Sequence, residues 1–340
     1  MASQGGTQPG PERIFETMFA HQRTAALKAA IEFDLFTSIG QGFDTAPALA
    51  SRSKATGRGI RILCDYLTVI GFLTKQDGRY GLTPESAAYL DRRSPACIAS
   101  IANFMTLPEK IDAFKDLAGV IRSGRPALSE GAGSVSPENP IWVSFARSMG
   151  AMQIPAAREL ARILEASAGR KWKVLDIAAG HGVYGIELAR QNPNAEIFAQ
   201  DWASVLNVAA ENARAAAIES RYHLLPGSAF EVDFGSGYDV ILVTGFLHHF
   251  SPAEIETLLR KVRASLAPGG VVATVDFVPN EDHVSPPRAA TFSMEMLGTT
   301  VSGDSYSFSE YLKMFHSAGF SSNELHPLAR SGHSLILSRV

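Results

Sequence analysis

The chain has 340 residues, 46% of them hydrophobic, and a formal net charge of −3. That length and apolar content suffice for a large core and for two domains, and the charge includes no basic block of the kind that nucleic acid selects. Cys64 and Cys97 give neither metal-ligand spacing nor a disulfide framework, so a metal site is not expected and a reducing cytoplasm is. No apolar run approaches the ~18 residues of a membrane span, and the opening residues do not read as a signal peptide.

Residues 1–10 read as a small, polar, disordered tail. Over 11–100 the pattern predicts helices at Ile14–Phe36, Asp44–Ala50 and Arg58–Ile70, the last with Ile62, Leu63, Leu67 and Ile70 inward and Gly71 as its stop. The Asp77-Gly78 turn between two short strand-like runs predicts a hairpin. Three helices and a hairpin make a winged helix. The third helix offers little polar face to a DNA groove, so packing or dimerisation is the better reading. Residues 101–165 read as a mostly helical connector, with a Gly-, Ser- and Pro-rich loop over 123–140 and an apolar stripe that includes Trp142, Phe145 and Met149.

From 166 to 340 strands and helices alternate. Val174-Leu175-Asp176-Ile177 is a short buried strand, followed by Gly180, Gly182 and Gly185 and a helical pattern. A strand, a glycine turn and a helix open a doubly wound sheet whose ligand sits over the turn. The glycines match the dinucleotide fingerprint G-x-G-x-x-G. Two acids point elsewhere: Asp176 before the turn, suited to a cation or amine, and Asp201 at the end of a second strand, where a ribose-binding carboxylate belongs. Further strands are expected at His223–Leu225, Tyr238–Thr244 and Val271–Phe277, the last preceded by the turn Pro268-Gly269-Gly270. A helix capped by Ser251 lies between the latter two, and an antiparallel pair at 324–328 and 334–340 closes the sheet. The predicted fold is α/β, a Rossmann-like sheet of seven strands behind a mostly α winged-helix domain. Seven strands with a terminal hairpin suit a methyltransferase better than a six-stranded dehydrogenase.

The stretches Ala29–Phe36 and Phe145–Met149, the glycine motif, Gly227–Phe230, Leu247–Phe250 and Leu266–Gly270 occur in an order and spacing that resemble one family. It comprises the bacterial relatives of plant caffeate- and acetylserotonin-type O-methyltransferases, class I enzymes that use S-adenosylmethionine (SAM) and yield S-adenosylhomocysteine (SAH). The resemblance implies a homodimer through the N-terminal domain and a hydroxyl on a small aromatic or polyketide-like metabolite as acceptor. Carbon or nitrogen methylation, or a non-methylating SAM enzyme, is the alternative on the same scaffold. A nicotinamide dehydrogenase and a winged-helix regulator are more remote.

By the same resemblance Asp176, Gly180 and Gly182 lie along the amino acid end of SAM. Asp201 binds the ribose, and Trp202, Ser228, Ala229 and Phe230 flank the adenine. Thr244 stands where plant members have a lysine, Ala178 replaces the motif's first glycine, and Ser228-Ala229 replaces Asp-Met. His248 corresponds to the general base and Asp276 to a carboxylate that orients it; Phe145, Met149, Phe292 and Met296 line the acceptor pocket. The position of a second orienting acid holds Ser305, so either one carboxylate holds the base or Asp304 substitutes. His249 reads as a packing or helix-entry residue.

Overall fold

The computed structural model describes residues 10–126, 138–328 and 331–340. The tail expected at 1–10, except Gly10, and most of the loop expected at 123–140 lie outside them. The chain divides into two compact units, 1–102 and 103–340, so the helical stretch expected as a connector belongs to the second.

The first unit contains α1 (Glu12–Met18), α2 (Ala20–Glu32), α3 (Leu35–Gly40), α4 (Ala46–Ser53) and α5 (Gly57–Val69), then β1 (Leu73–Gln76), β2 (Arg79–Leu82) and α6 (Pro84–Tyr89). The single helix expected from Ile14 to Phe36 is broken at Phe19 and again at Asp34, whose φ of 53° is left-handed. Aspartate tolerates that conformation better than most residues, and one such residue stops a helix. On α5 the inward stripe is Ile60, Cys64 and Leu67, each at most 1% exposed, whereas Ile62 is 42% exposed. At 100° per residue Ile62 points away from the face that Ile60, Cys64 and Leu67 share. Asp77 and Gly78 both have positive φ, as a two-residue hairpin turn requires, and pair Gln76 with Arg79.

The second unit begins within α7 (Ile101–Met105) and continues through α8 (Pro108–Asp112), α9 (Leu117–Ser123) and the long α10 (Ile141–Ile163). Then come β3 (Trp172–Ile177), α11 (Val183–Gln191), β4 (Ala195–Asp201), α12 (Ala203–Ala215), β5 (Tyr222–Pro226) and β6 (Tyr238–Thr244). They are followed by α13 (Pro252–Ser265), β7 (Leu266–Asp276), α14 (Pro287–Thr299), α15 (Phe308–Ser317), β8 (Ser322–Pro327) and β9 (Ser334–Arg339). The seven strands form one sheet in the order β5-β4-β3-β6-β7-β9-β8. Only β9 runs against its neighbours.

Alternation along β6 builds both cores. Val240 and Leu242 pack on the side of α10, α11 and α12; Ile241 and Val243 pack on the side of α13 and α15. Both faces are covered, which explains why β6 reads as one apolar run. The capping box Ser251–Glu254 starts α13, with Pro252 at its first position. Among the described residues no helix is long and apolar enough to cross a membrane.

The Pro268-Gly269-Gly270 turn, expected ahead of a strand, lies inside β7. Tyr238 pairs with Leu266, the register shifts, and pairing resumes at Val240 and Val271. A Cβ on Gly270 would stand 2.8 Å from the Tyr238 carbonyl oxygen and 3.0 Å from that of Ala267. Both obstacles are backbone and cannot yield cheaply. Gly270→Ala is therefore expected to lower stability by about 1–3 kcal/mol. A urea midpoint equal to wild type, at the same slope, would show that the bulge relaxes freely.

Candidate active site

The site forms where the strand order reverses between β3 and β6, so that the loops leaving these two neighbours diverge and leave a crevice. After β3 the chain passes through Ala178 (φ 51°), Gly180 (φ 57°) and Gly182 (φ 74°) into α11. Ala178, where the family motif has glycine, thus holds a left-handed conformation at a cost of roughly 1–2 kcal/mol. The glycines do different jobs. Gly180 borders the cavity, whereas Gly182 and Gly185 face down onto the sheet. A Cβ on Gly182 would meet the Tyr222 hydroxyl at 2.5 Å, and one on Gly185 would meet Ile197 at 2.8 Å and the Asp176 carboxylate at 2.9 Å.

Asp176 is not a cavity residue. It points from β3 beneath the turn, fully buried, and its Oδ2 accepts the Gly185 N–H at 3.2 Å while Oδ1 has no protein partner. Burial pushes its pKa up to about 7. Asp201, at the end of β4, does border the cavity; its Oδ2 accepts from Gly180 N–H at 2.8 Å and its Oδ1 from Trp202 N–H at 2.7 Å. Burial raises it to about 6.

Trp202 packs with Trp142, Val143, Ala146, Val205 and Val208, off the cavity lining. Beyond β5, the Ser228 hydroxyl accepts the Phe230 N–H at 3.3 Å, the Ala229 carbonyl accepts from Lys261 at 2.9 Å, and Phe230 meets Phe250 edge-on. These three also lie outside the lining. Thr244, ending β6, lies within it.

His248 follows β6 in a short turn, 6% exposed, and borders the cavity. Its Nδ1 lies 2.6 Å from Asp276 Oδ1 at the end of β7. Asp276 is saturated: Oδ1 also accepts the Phe277 N–H at 2.8 Å and Oδ2 accepts the Tyr311 hydroxyl at 3.0 Å. A carboxylate partner requires the proton on Nδ1, which leaves the Nε2 lone pair for the cavity. Burial and Asp276 hold the Tyr311 phenol well above its ordinary pKa, so it remains a donor. Neither residue considered as a second orienting group reaches the imidazole. Ser305 donates to the carbonyls of Phe277 and Ala289, and Asp304 accepts its own neighbour's N–H. The second side-chain contact is one step back, where the Tyr311 hydroxyl donates to Asp276 rather than to His248. Gly303 lies under the loop, where a Cβ would collide with the His248 carbonyl.

The cavity measures about 650 Å³, and Phe145, Met149, Phe292 and Met296 all line it, as expected from the sequence. Phe292 stands edge-on to His248 at 4.8 Å, and Phe145 stacks on His181 at 5.9 Å. His249 also reaches the cavity, edge-on to Trp142, with its pKa driven well down by burial and by His248. Lys110 and Glu295 form an ion pair in the wall.

A family model described as a methyltransferase domain matches residues 175–272, and one described as an O-methyltransferase dimerisation domain matches 15–92. A crystal structure described as a candidate O-methyltransferase from Nostoc punctiforme is 46% identical and covers 98% of this chain and 99% of its own, with a TM-score of 0.93. The chain belongs to the O-methyltransferase family. The 3-hydroxy-5-methyl-1-naphthoate 3-O-methyltransferase of Streptomyces sahachiroi is 28% identical over 94% of this chain and 93% of its own length. Human N-acetylserotonin methyltransferase, solved in complex with SAM, shares the fold at a TM-score of 0.86, with 19% identity and 99% coverage of both chains.

Two residues of this methyltransferase site escaped the sequence reading. Tyr311 carried no motif. Gln200, next to Asp201, ties the loop after β3 to the loop after β5: its Oε1 accepts the Ala178 N–H at 3.2 Å and its amide donates to the Gly227 carbonyl at 2.5 Å.

Asp176 yields a pH test. Its folded pKa, about 7, lies above the ordinary carboxylate value of ~3.9. Between these values the folded state binds the extra proton, so this group's contribution to stability falls as pH rises through the window and then levels. Asp176→Asn removes that slope. In urea titrations of the ligand-free protein, the variant should gain on wild type by up to ~1.4 kcal/mol per pH unit between about pH 4 and 7. A difference that stays flat there would mean the carboxylate is ionised in the folded state.

Proposed function

We propose that this methyltransferase moves the methyl group of SAM to a hydroxyl of a small aromatic or polyketide-like acceptor, with His248 as general base. The observation that carries the reading is the buried chain Tyr311–Asp276–His248, which ends on an imidazole nitrogen facing an apolar cavity beside the glycine turn. Bound SAM supplies a methyl group on a positively charged sulfur. The residues present fit it: Asp201 offers a carboxylate to ribose hydroxyls at the end of β4, and Gly180 opens the turn to the amino acid end.

His248 Nε2 takes the hydroxyl proton as the oxygen attacks, and Asp276 stabilises the resulting imidazolium through Nδ1–H. Tyr311 and the Phe277 N–H hold Asp276 in place, so the imidazole is oriented before the acceptor arrives. Phe145, Met149, Phe292 and Met296 keep water away and hold a flat ring.

We also infer a homodimer through the domain at 11–100, with the stretch 101–165 lending Phe145 and Met149 to the pocket. Four apolar side chains at its start, Ile14, Phe15, Met18 and Phe19, are 66%, 56%, 69% and 52% exposed, a surface that a second subunit would cover. Asp65 takes up both Arg61 and Lys75 beside the wing, which disfavours a nucleic-acid partner. Unpaired Cys64 and Cys97 suit a cytoplasmic enzyme.

His248→Ala is expected to lose about 10²–10⁴-fold in turnover with unchanged SAH affinity. Tyr311→Phe, which removes one neutral hydrogen bond behind the base, should lose about tenfold or less. Methyl transfer to a panel of phenols, with NMR of the products to locate the new methyl, tests both. Near-wild-type turnover by His248→Ala removes the base, and methylation at carbon removes the O-methyl reading. Asp201→Ala should weaken SAH binding at least ~10-fold, and unaltered calorimetry would separate this carboxylate from the ribose.

A further inference from the structure

We propose that Gln153 and His181 hold the carboxylate of the cofactor's amino acid end in a small recess beside Gly180, and that Tyr184 fixes which way the Gln153 amide points. The proposal rests on SAM as the cofactor and is independent of the acceptor.

The recess measures about 40 Å³ and opens into the larger cavity, with which it shares Phe145, Gln153, Gly180 and Thr244. At ~10–15 Å³ for each water-sized group, it has room for about the three heavy atoms of a carboxylate. Gly180 places it relative to the cofactor. Its N–H is given to Asp201, the carboxylate read above as the ribose contact, while the residue itself borders the recess. A nucleoside seated on Asp201 therefore brings its 5′ substituent to this opening. No charged side chain lines the recess, so an anion entering it meets no opposing acid. Asp176, the acid expected at this end, lies under the turn instead.

The polar side chains of the lining are Gln153, His181, Tyr184, Thr244 and His333. Two of them are fixed as donors. The Tyr184 hydroxyl, kept protonated by burial, gives its hydrogen to Gln153 Oε1 at 3.0 Å. That bond from α11 to α10 commits the amide oxygen and turns the Gln153 NH₂ the other way. His181 Nδ1 accepts the Val183 N–H at 3.1 Å, which puts the ring proton on Nε2. Burial pushes this imidazole down to about 4, so it stays a neutral N–H donor. Gln153 is 9% exposed and His181 4%. Among the described residues neither Nε2 has a protein partner, and neither is sealed from the surface, so both open onto the recess. Buried donors of this kind are costly to leave unmade and bond most strongly to an ionised acceptor. The first turn of α11 adjoins them and adds the favourable end of its dipole.

The test compares calorimetric binding of SAH with that of its decarboxylated analogue, which ends in a 3-aminopropyl chain and differs only by the carboxylate. Wild type should bind SAH about 10- to 100-fold more tightly. Gln153→Met, close to glutamine in shape, should shrink that ratio about tenfold and leave the analogue's affinity as it was. His181→Asn, which keeps an acceptor for the Val183 N–H at shorter reach, should act in the same direction. Tyr184→Phe frees the amide to rotate and should shrink the ratio less than Gln153→Met does. Equal affinities in wild type, or a ratio that survives both Gln153→Met and His181→Asn, overturns the recess as the carboxylate site. A variant that weakens both ligands equally also overturns it, because the side chain would then support the nucleoside or the turn. Wild type that binds neither compound would sink the cofactor reading itself, an outcome distinct from binding both alike.

Discussion

Two neighbouring strands send their chains to opposite faces of the sheet, and the rest of the site depends on that divergence. From β3 the chain turns toward α11; from β6 it turns through Gly245 and His248 toward α13. The gap cannot close, because the backbone leaving β3 is held down by close packing rather than by its own loop. Gly182 and Gly185 seat the turn on Tyr222, Ile197 and Asp176 at distances that exclude a Cβ. One wall of the crevice is thereby fixed before any ligand is present, and the other carries the imidazole. Pre-positioning of this kind turns an encounter between two substrates into an oriented reaction.

Two aspartates at the ends of strands show how environment divides labour between identical side chains. Asp276 receives a backbone N–H, a phenol and an imidazole, so its negative charge is compensated where the proposed mechanism forms an imidazolium. Asp176 receives one backbone N–H and keeps an unpartnered oxygen, and burial drives it toward the neutral acid. The first arrangement supports a proton taken up next door. The second serves the turn above it, since a hydrogen bond from Gly185 can be kept by a neutral acid as well as by an anion.

The sheet was legible in the sequence because its strands are buried on both faces and separated by glycine, proline and capping signals; Tyr238–Thr244 was read to the residue. Less legible were elements whose signals compete. Pro268-Gly269-Gly270 reads as a turn but sits in a strand as a bulge, a distinction that only the register with Tyr238 makes. The helices α14 and α15 were not foreseen, although Ser307 and Glu310 form a capping box in plain sight. Within the site, residue types at strand ends were readable and their directions were not. The alternation that sends Asp176 under the turn could have been counted from Val174, with which it shares a face. Tyr311 could not, because its hydroxyl reaches Asp276 from a helix 35 residues away.

A tyrosine in place of a second acid changes the electrostatics behind the base. A second carboxylate beside Asp276 would raise the cost of burying both and favour sharing a proton between them. The Tyr311 phenol, held protonated by burial, orients Asp276 without adding charge. The surrounding imidazoles follow the same logic: burial pushes His181 and His333 down to about 4 and holds His249 well below its ordinary range. These rings stay neutral at neutral pH, so they add no positive charge to a cavity proposed to admit a sulfonium. Of these four imidazoles among the described residues, His248 alone is paired with a carboxylate, so under the proposed mechanism a proton taken from the acceptor is stabilised there rather than on the other three.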